Sequence, residues 1–346
     1  MNKLKEQTAG QYWAVDVVKL FMSFCVVAIH TELMRYCYDP RICGVYDYIV
    51  RQAVPFFFIA SGFFLFQKYE EDFCSGRNAA RLKTYTLRVL KMYLLWHILY
   101  LPTALYAVMG WGASFQDFVI GLLFRGEQFM SWHLWYLLGT LYFLLLTGLL
   151  MKCKIQENGL LLVSLGIYLL SFGMTWLANQ RESLDGMLFS LANMIYTVFQ
   201  NGRIFTGIGY MAIGMWLARR RFRPRAWICG AVFLLGMAVE VWLKYQGKTM
   251  LETPVLAITA CALFLFAEGL PGGWSSPLFR LCRNFSTVIY LVHMMWYYIL
   301  SRLVWGVYTP ESYGMMPFLV TLALSLGTAV VVELLRKWKI VRFLFA

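Results

Sequence analysis

A chain of 346 residues is long enough for two soluble domains, but 60% of its residues are hydrophobic and only 14% are charged. A mean hydropathy of +0.60, with apolar runs of about 20 residues recurring from end to end, excludes that reading and defines an all-α, polytopic integral membrane protein. The net charge of +13 does not mark a partner of nucleic acid, because the basic residues fall in short clusters between apolar spans rather than along one stripe.

The first predicted span, near residues 12–33, is nearly all apolar between Val17 and Ile29. Asp16, Lys19 and His30 interrupt it. Lys19 follows Asp16 by three residues and so shares its helix face. His30 follows Lys19 after about three turns and returns to that face, about 16 Å further along the axis. Ionisable groups at membrane depth are costly and usually line a pathway or a site. The plainer reading is an Asp16–Lys19 pair that only orients the helix, with a histidine at the interface. The polar segment before this span and the lack of a small-residue cleavage site after it predict an uncleaved anchor rather than a leader.

Nine further spans are predicted near 47–67, 84–108, 131–151, 159–178, 202–219, 226–243, 250–268, 285–305 and 314–335. They form one membrane-embedded domain over 1–346, with no separate soluble part. Lys and Arg collect in alternate linkers: Lys68 to Lys83, Lys152 and Lys154, RRRFRPR at 219–225, Arg280 and Arg283, and the C-terminal tail. The other linkers hold Asp39, Asp117, Glu127, Asp185 and Glu311. This alternation predicts ten spans with both termini in the cytoplasm of a plasma-membrane protein. Two outer segments, 111–130 and 186–200, are apolar but read as surface or re-entrant pieces, since a spanning 186–200 would invert every later orientation.

The eight cysteines do not form a disulfide framework. Only Cys37 and Cys43 share an outer loop, where a bridge and two free thiols are both admissible. No His, Cys and carboxylate spacing suits a metal. Sorted by depth, His30, Arg51, His133 and Arg203 lie at outer ends of spans. Asp16, Lys19, Arg88 and Lys91 lie at inner ends. A basic inner mouth suits a phosphorylated cytosolic donor, and an outer histidine suits general-base chemistry near neutral pH. Arg88 and Lys91 also fit as snorkelling anchors, and Trp132 and Trp135 as an interfacial aromatic belt. His97 and His293 read as helix-packing histidines outside the stripe, and Glu240 has no partner evident in the sequence.

Several motifs resemble the membrane acyltransferases of acyltransferase family 3. These proteins have ten spans and an arginine eleven residues before a histidine in the first; here Lys19 and His30 have that spacing. VPFFFIASGFF at 54–64, which contains Ser61, resembles the family's Pro-Phe-Phe span ending in Ser-Gly. RVLK at 88–91 resembles its Arg-x-x-Arg. Within the family, RQAVPFFFIASGFFLF at 51–66, HLWYL at 133–137 and NGRIFTGIGYMAIG at 201–214 look most like the membrane domain of vancomycin-resistance serine racemases. Lysines stand at 19 and 91 where the family has arginines, which keeps charge and loses the bidentate fork. The racemases continue into a soluble domain beyond this membrane part, so racemase chemistry is not expected of these 346 residues.

The resemblance implies an enzyme that passes an acyl group, commonly acetyl, from cytosolic acyl-CoA to a hydroxyl of an envelope sugar or lipid. Acyl-CoA is then a co-substrate, with no tightly bound cofactor. His30 is the expected base, and Lys19, Arg88 and Lys91 are expected to hold CoA phosphates. Arg51, Trp132, His133, Trp135 and Arg203 are expected at the acceptor, with Asp16 and Ser61 in support. Two other readings stand beside it: a carrier for L-serine or a similar amino acid, and a scaffold without turnover. The topology has its own test. Single cysteines introduced at 110–130 and at 180–201 should react with an impermeant thiol reagent added outside intact cells, and cysteines at 219–225 should not. Outside labelling of 219–225 would turn 186–200 into a span.

Overall fold

The computed structural model describes residues 12–112, 114–247, 254–272 and 277–345, and every regular element among them is helical. In chain order these are α1 (Trp13–His30), α2 (Pro40–Arg51), α3 (Ala53–Phe66), α4 (Gly76–Leu99), α5 (Leu101–Trp111) and α6 (Phe115–Ile120). A π turn at Gly121–Arg125 follows. Then come α7 (Trp135–Lys152), α8 (Glu157–Asn179), α9 (Gly186–Phe199), α10 (Arg203–Arg220), α11 (Ala226–Tyr245), α12 (Pro254–Glu268), α13 (Pro277–Leu300), α14 (Met315–Leu334) and α15 (Lys339–Phe345).

Seven helical segments are long and apolar enough to cross a bilayer. They include α1, the joined α2–α3 stretch Pro40–Phe66, and α13 extended to Trp305. An eighth is the α4–α5 pair, bent by 48°. Pro102, in the first turn of α5, cannot donate to the preceding turn and explains the bend. The two other expected spans correspond to α10 and α12. α10 has the length, at 18 residues, but carries arginines at both ends. α12 has 15 residues, and the start expected for it at 250–253 lies outside the described residues. α9 has 14 residues and so rises only about 21 Å, short of a hydrocarbon core of about 30 Å.

Two boundaries differ from the sequence reading because polar caps outrank hydropathy. Ser75 accepts from the Asn78 amide at 3.2 Å and starts α4 eight residues early, so Arg77, Arg81 and Lys83 lie on a helix rather than in a linker. Asp39 accepts from the Arg41 and Ile42 amides ahead of Pro40 and starts α2 well before residue 47. The Arg41 side chain and amide hold the Asp39 carboxyl below its usual range.

The helices group into two units, one of 1–57 with 223–346 and the other of 58–222. In the first, α1 packs on α13 and α13 on α14, while α11 packs on α2 and α12. Its interior includes Val27, Phe56, Ala260 and Phe264, all fully buried. In the second, α10 packs on α8 and α7, and α4 on α7. Phe66 stacks on Phe73 and meets Phe143 edge-on there. Lipid is as apolar as these side chains, so close backbone approach matters more here than burial from water. A Cβ on Gly214 would press on the Ile59 carbonyl and the Phe63 amide, and one on Gly62 would press on the Met211 carbonyl. Gly62→Val and Gly214→Val should each lower stability by about 1–3 kcal/mol. Gly166→Ala, with open space around it, should be neutral or stabilising by up to about 1 kcal/mol. Thermal unfolding in one detergent compares the three.

Candidate functional site

In the first unit the site is built on α1 and α13. Asp16 Oδ2 lies 3.9 Å from Arg283 Nη1. The Ser286 hydroxyl donates to the Lys19 carbonyl at 3.1 Å. The His30 and His293 rings lie 5.3 Å apart between centroids, at 32°. Numbers rise together along both helices, so the two run in the same direction. The charged residues sit at one end and the two histidines at the other. Lys19 and His30 are half-buried and His293 is fully buried. His293 Nδ1 lies 3.0 Å from the Ile289 carbonyl. A carbonyl only accepts, so Nδ1 carries a proton.

The end of α1 is tied down around His30. Tyr46 Oη donates to the Ala28 carbonyl at 3.0 Å, and the Gly314 amide donates to the Thr31 carbonyl at 2.8 Å. Glu32, next to this turn, is exposed and paired with Arg35 at 2.6 Å. Arg51, expected at the acceptor, faces the buried Glu240 carboxylate at 3.7 Å, which supplies the partner that sequence did not reveal. Cys37 and Cys43 are free thiols, with Cys43 Sγ donating to the Cys37 carbonyl at 3.2 Å.

The second unit holds Ser61, Arg88, Lys91, Trp132, His133, Trp135 and Arg203. Ser61 Oγ and Tyr136 Oη are 2.6 Å apart, and the Tyr85 hydroxyl also hydrogen-bonds to Ser61. Arg88, one turn after Tyr85, acts electrostatically on that cluster. Arg88 is exposed and Lys91 half-buried. His133 is buried, with its ring edge-on to Tyr100 at 5.3 Å. Arg203 is ion-paired with the buried Glu127 and lies 5.2 Å from the Trp135 ring centroid. Gln200 Nε2 donates to the other Glu127 oxygen at 2.7 Å. Both arginines expected at the acceptor, Arg51 and Arg203, are therefore already paired with carboxylates of the chain.

Trp132 lines a pocket of about 300 Å³ together with Phe118, Arg125, Glu127, Gln128 and Phe129. The π turn delivers Arg125, and Gly126 follows it in the left-handed region at φ 71°. Asp117, also on the rim, is held below the usual carboxylate range by the Ser114 hydroxyl and amide. Aromatic faces beside mixed polar groups fit a hydroxylated or zwitterionic small molecule.

Sequence reasoning missed Arg283 as a partner of Asp16, and it set His293 aside as a residue remote from the stripe. The signal was there: Arg283 and His293 are ten residues apart, nearly the spacing of Lys19 and His30. It becomes readable only once the two helices are known to be parallel neighbours.

These features define a helical membrane protein whose ionisable residues are gathered on facing helices. The family model described as "Acyltransferase domain" matches residues 12–336, and the chain belongs to acyltransferase family 3. It is similar to a "Serine/alanine racemase" of Enterococcus gallinarum, with 27% identity over 233 residues, 65% of this chain and 32% of the relative. It is also similar to an "Amino-acid racemase" of Enterococcus faecalis, with 27% identity over 296 residues, 81% of this chain and 40% of the relative. The chain thus spans about a third to two fifths of the length of these relatives. No solved structure matches it.

The Glu127 cluster is directly testable. Glu127→Ala leaves Arg203 and Gln200 without their acceptor and should cost about 3–5 kcal/mol. The double variant Glu127→Leu with Arg203→Met should recover most of that loss, as read by thermal unfolding.

Proposed function

We propose that the protein is a plasma-membrane O-acyltransferase with ten spans and cytoplasmic termini, moving an acetyl or similar acyl group from cytosolic acyl-CoA to a hydroxyl of an extracytoplasmic sugar or lipid. The observation that carries the reading is the position of His30. It stands half-buried at the far end of α1 from Asp16 and Lys19, in a chain whose family match runs from 12 to 336. In the step itself, the acceptor hydroxyl gives its proton to the His30 imidazole. Its oxygen attacks the thioester carbonyl, the carbon–sulfur bond breaks, and the CoA thiolate leaves and takes up the proton. Lys19, Arg88 and Lys91 hold the CoA phosphates. Asp16 keeps the Lys19 end of the helix electrostatically ordered, and Ser61 orders Tyr85 and Tyr136. Trp132 and its pocket, with His133 and Trp135 nearby in sequence, serve the acceptor.

A second reading is favoured by the names of the relatives. Two amino-acid racemases share this membrane segment, which fits a part that carries L-serine or a similar amino acid.

Purified protein incubated with labelled acetyl-CoA separates the two. The enzyme reading expects acyl transfer or slow hydrolysis. The carrier reading expects labelled L-serine to enter proteoliposomes with no acetyl-CoA consumed. Under the enzyme reading His30→Ala should lower the rate by about 10²–10⁴-fold with the unfolding temperature unchanged. His97→Asn is the control for a histidine elsewhere in the membrane. Full activity in a well-folded His30→Ala protein would remove His30 as the base and leave His133 to be examined next.

A further inference from the structure

We propose that Arg283, on α13, is a donor-binding residue that supplies the planar guanidinium contact to a CoA phosphate that Lys19 cannot make. The inference rests on the acyltransferase reading. It begins from an apparent deficit: a phosphate site built on α1 presents a lysine, a point charge without a fork. The neighbouring helix makes up the difference. Arg283 reaches the same carboxylate, Asp16, that interacts with Lys19. The three groups interact electrostatically with one another as one cluster, in which Arg283 is the exposed cation.

The contact geometry favours a ligand role over a purely structural one. At 3.9 Å the Arg283–Asp16 pair is loose, and Arg283 is 55% exposed while Asp16 is 14% exposed. By contrast, Arg336, in the turn that follows α14, is held by Glu333 at 2.7 Å, and Glu333 also accepts from Asn284 at 3.0 Å. Asp16 therefore aims the Arg283 guanidinium without consuming its donors. Five N–H groups in a fixed plane suit two oxygens of one phosphate. The Ser286 bond to the Lys19 carbonyl, one turn along α13, fixes the register that brings the two cations together.

The test measures CoA binding to the full-length protein in detergent by titration calorimetry, and turnover with acetyl-CoA and with S-acetyl-pantetheine, which lacks the nucleotide phosphates. Arg283→Gln should weaken CoA binding about tenfold, the scale of one bidentate charge-assisted contact. It should raise KM for acetyl-CoA while leaving kcat and the use of S-acetyl-pantetheine unchanged. Arg283→Lys, which keeps the charge beside Asp16, should fall between the two, and it carries the test if Arg283→Gln does not fold. Arg280→Gln is the neighbouring-charge control. Wild-type protein that binds no CoA would overturn the acyltransferase reading and this inference with it. Wild-type protein that binds CoA, with Arg283→Gln and Arg283→Lys binding equally well, overturns the inference alone. An equal loss in Arg280→Gln and Arg283→Gln also overturns it, because it would reflect general surface charge.

Discussion

The structure depends on one constraint: a charge taken to membrane depth must be neutralised or surrounded by the protein itself. Among the described residues, each buried glutamate has a cation. Glu240 faces Arg51, Glu127 holds Arg203, and Glu268 meets Arg223 at 3.2 Å. The third pair joins α12 to the start of the segment that leads into α11, and the first joins α2 to α11. These contacts select which apolar helices become neighbours, a choice that hydrophobicity alone cannot make when lipid is equally good company.

At one end of α1, Asp16 lies 3.9 Å from Arg283 and interacts electrostatically with Lys19. At the other end two imidazoles share a half-buried space, and the second of them is held in one tautomer by the Ile289 carbonyl. The same helix pair thus holds charged groups at one end and two imidazoles at the other.

Much of this was legible in the sequence, for reasons that differ by residue. The apolar runs announce most spans because a bilayer imposes their length. Asp16, Lys19 and His30 stand out because they break such a run at helical spacing. The starts of α2 and α4 were misjudged because Asp39 and Ser75 set a boundary by capping amides, which hydropathy does not register. Glu240, Arg283 and His293 were visible as residues but not as partners, since nothing local ties Glu240 to Arg51 or His293 to His30. The pocket at Trp132 was out of reach for a further reason. It is shaped by a π turn and a left-handed glycine in a segment that reads only as a short apolar stretch.

The parallel pairing of α1 and α13 also bears on how the protein matures. Ser286 meets the Lys19 carbonyl across 267 residues of sequence, so α1 enters the membrane long before its companion is synthesised. During that interval Asp16 and Lys19 must be sheltered by each other, by lipid headgroups or by the insertion machinery, and His30 faces surroundings that it later gives up. Assembly of this half of the molecule is therefore a late event in biosynthesis. A ribosome stalled before α13 would leave an inserted chain that has its histidine and its lysine but lacks the helix they pack against.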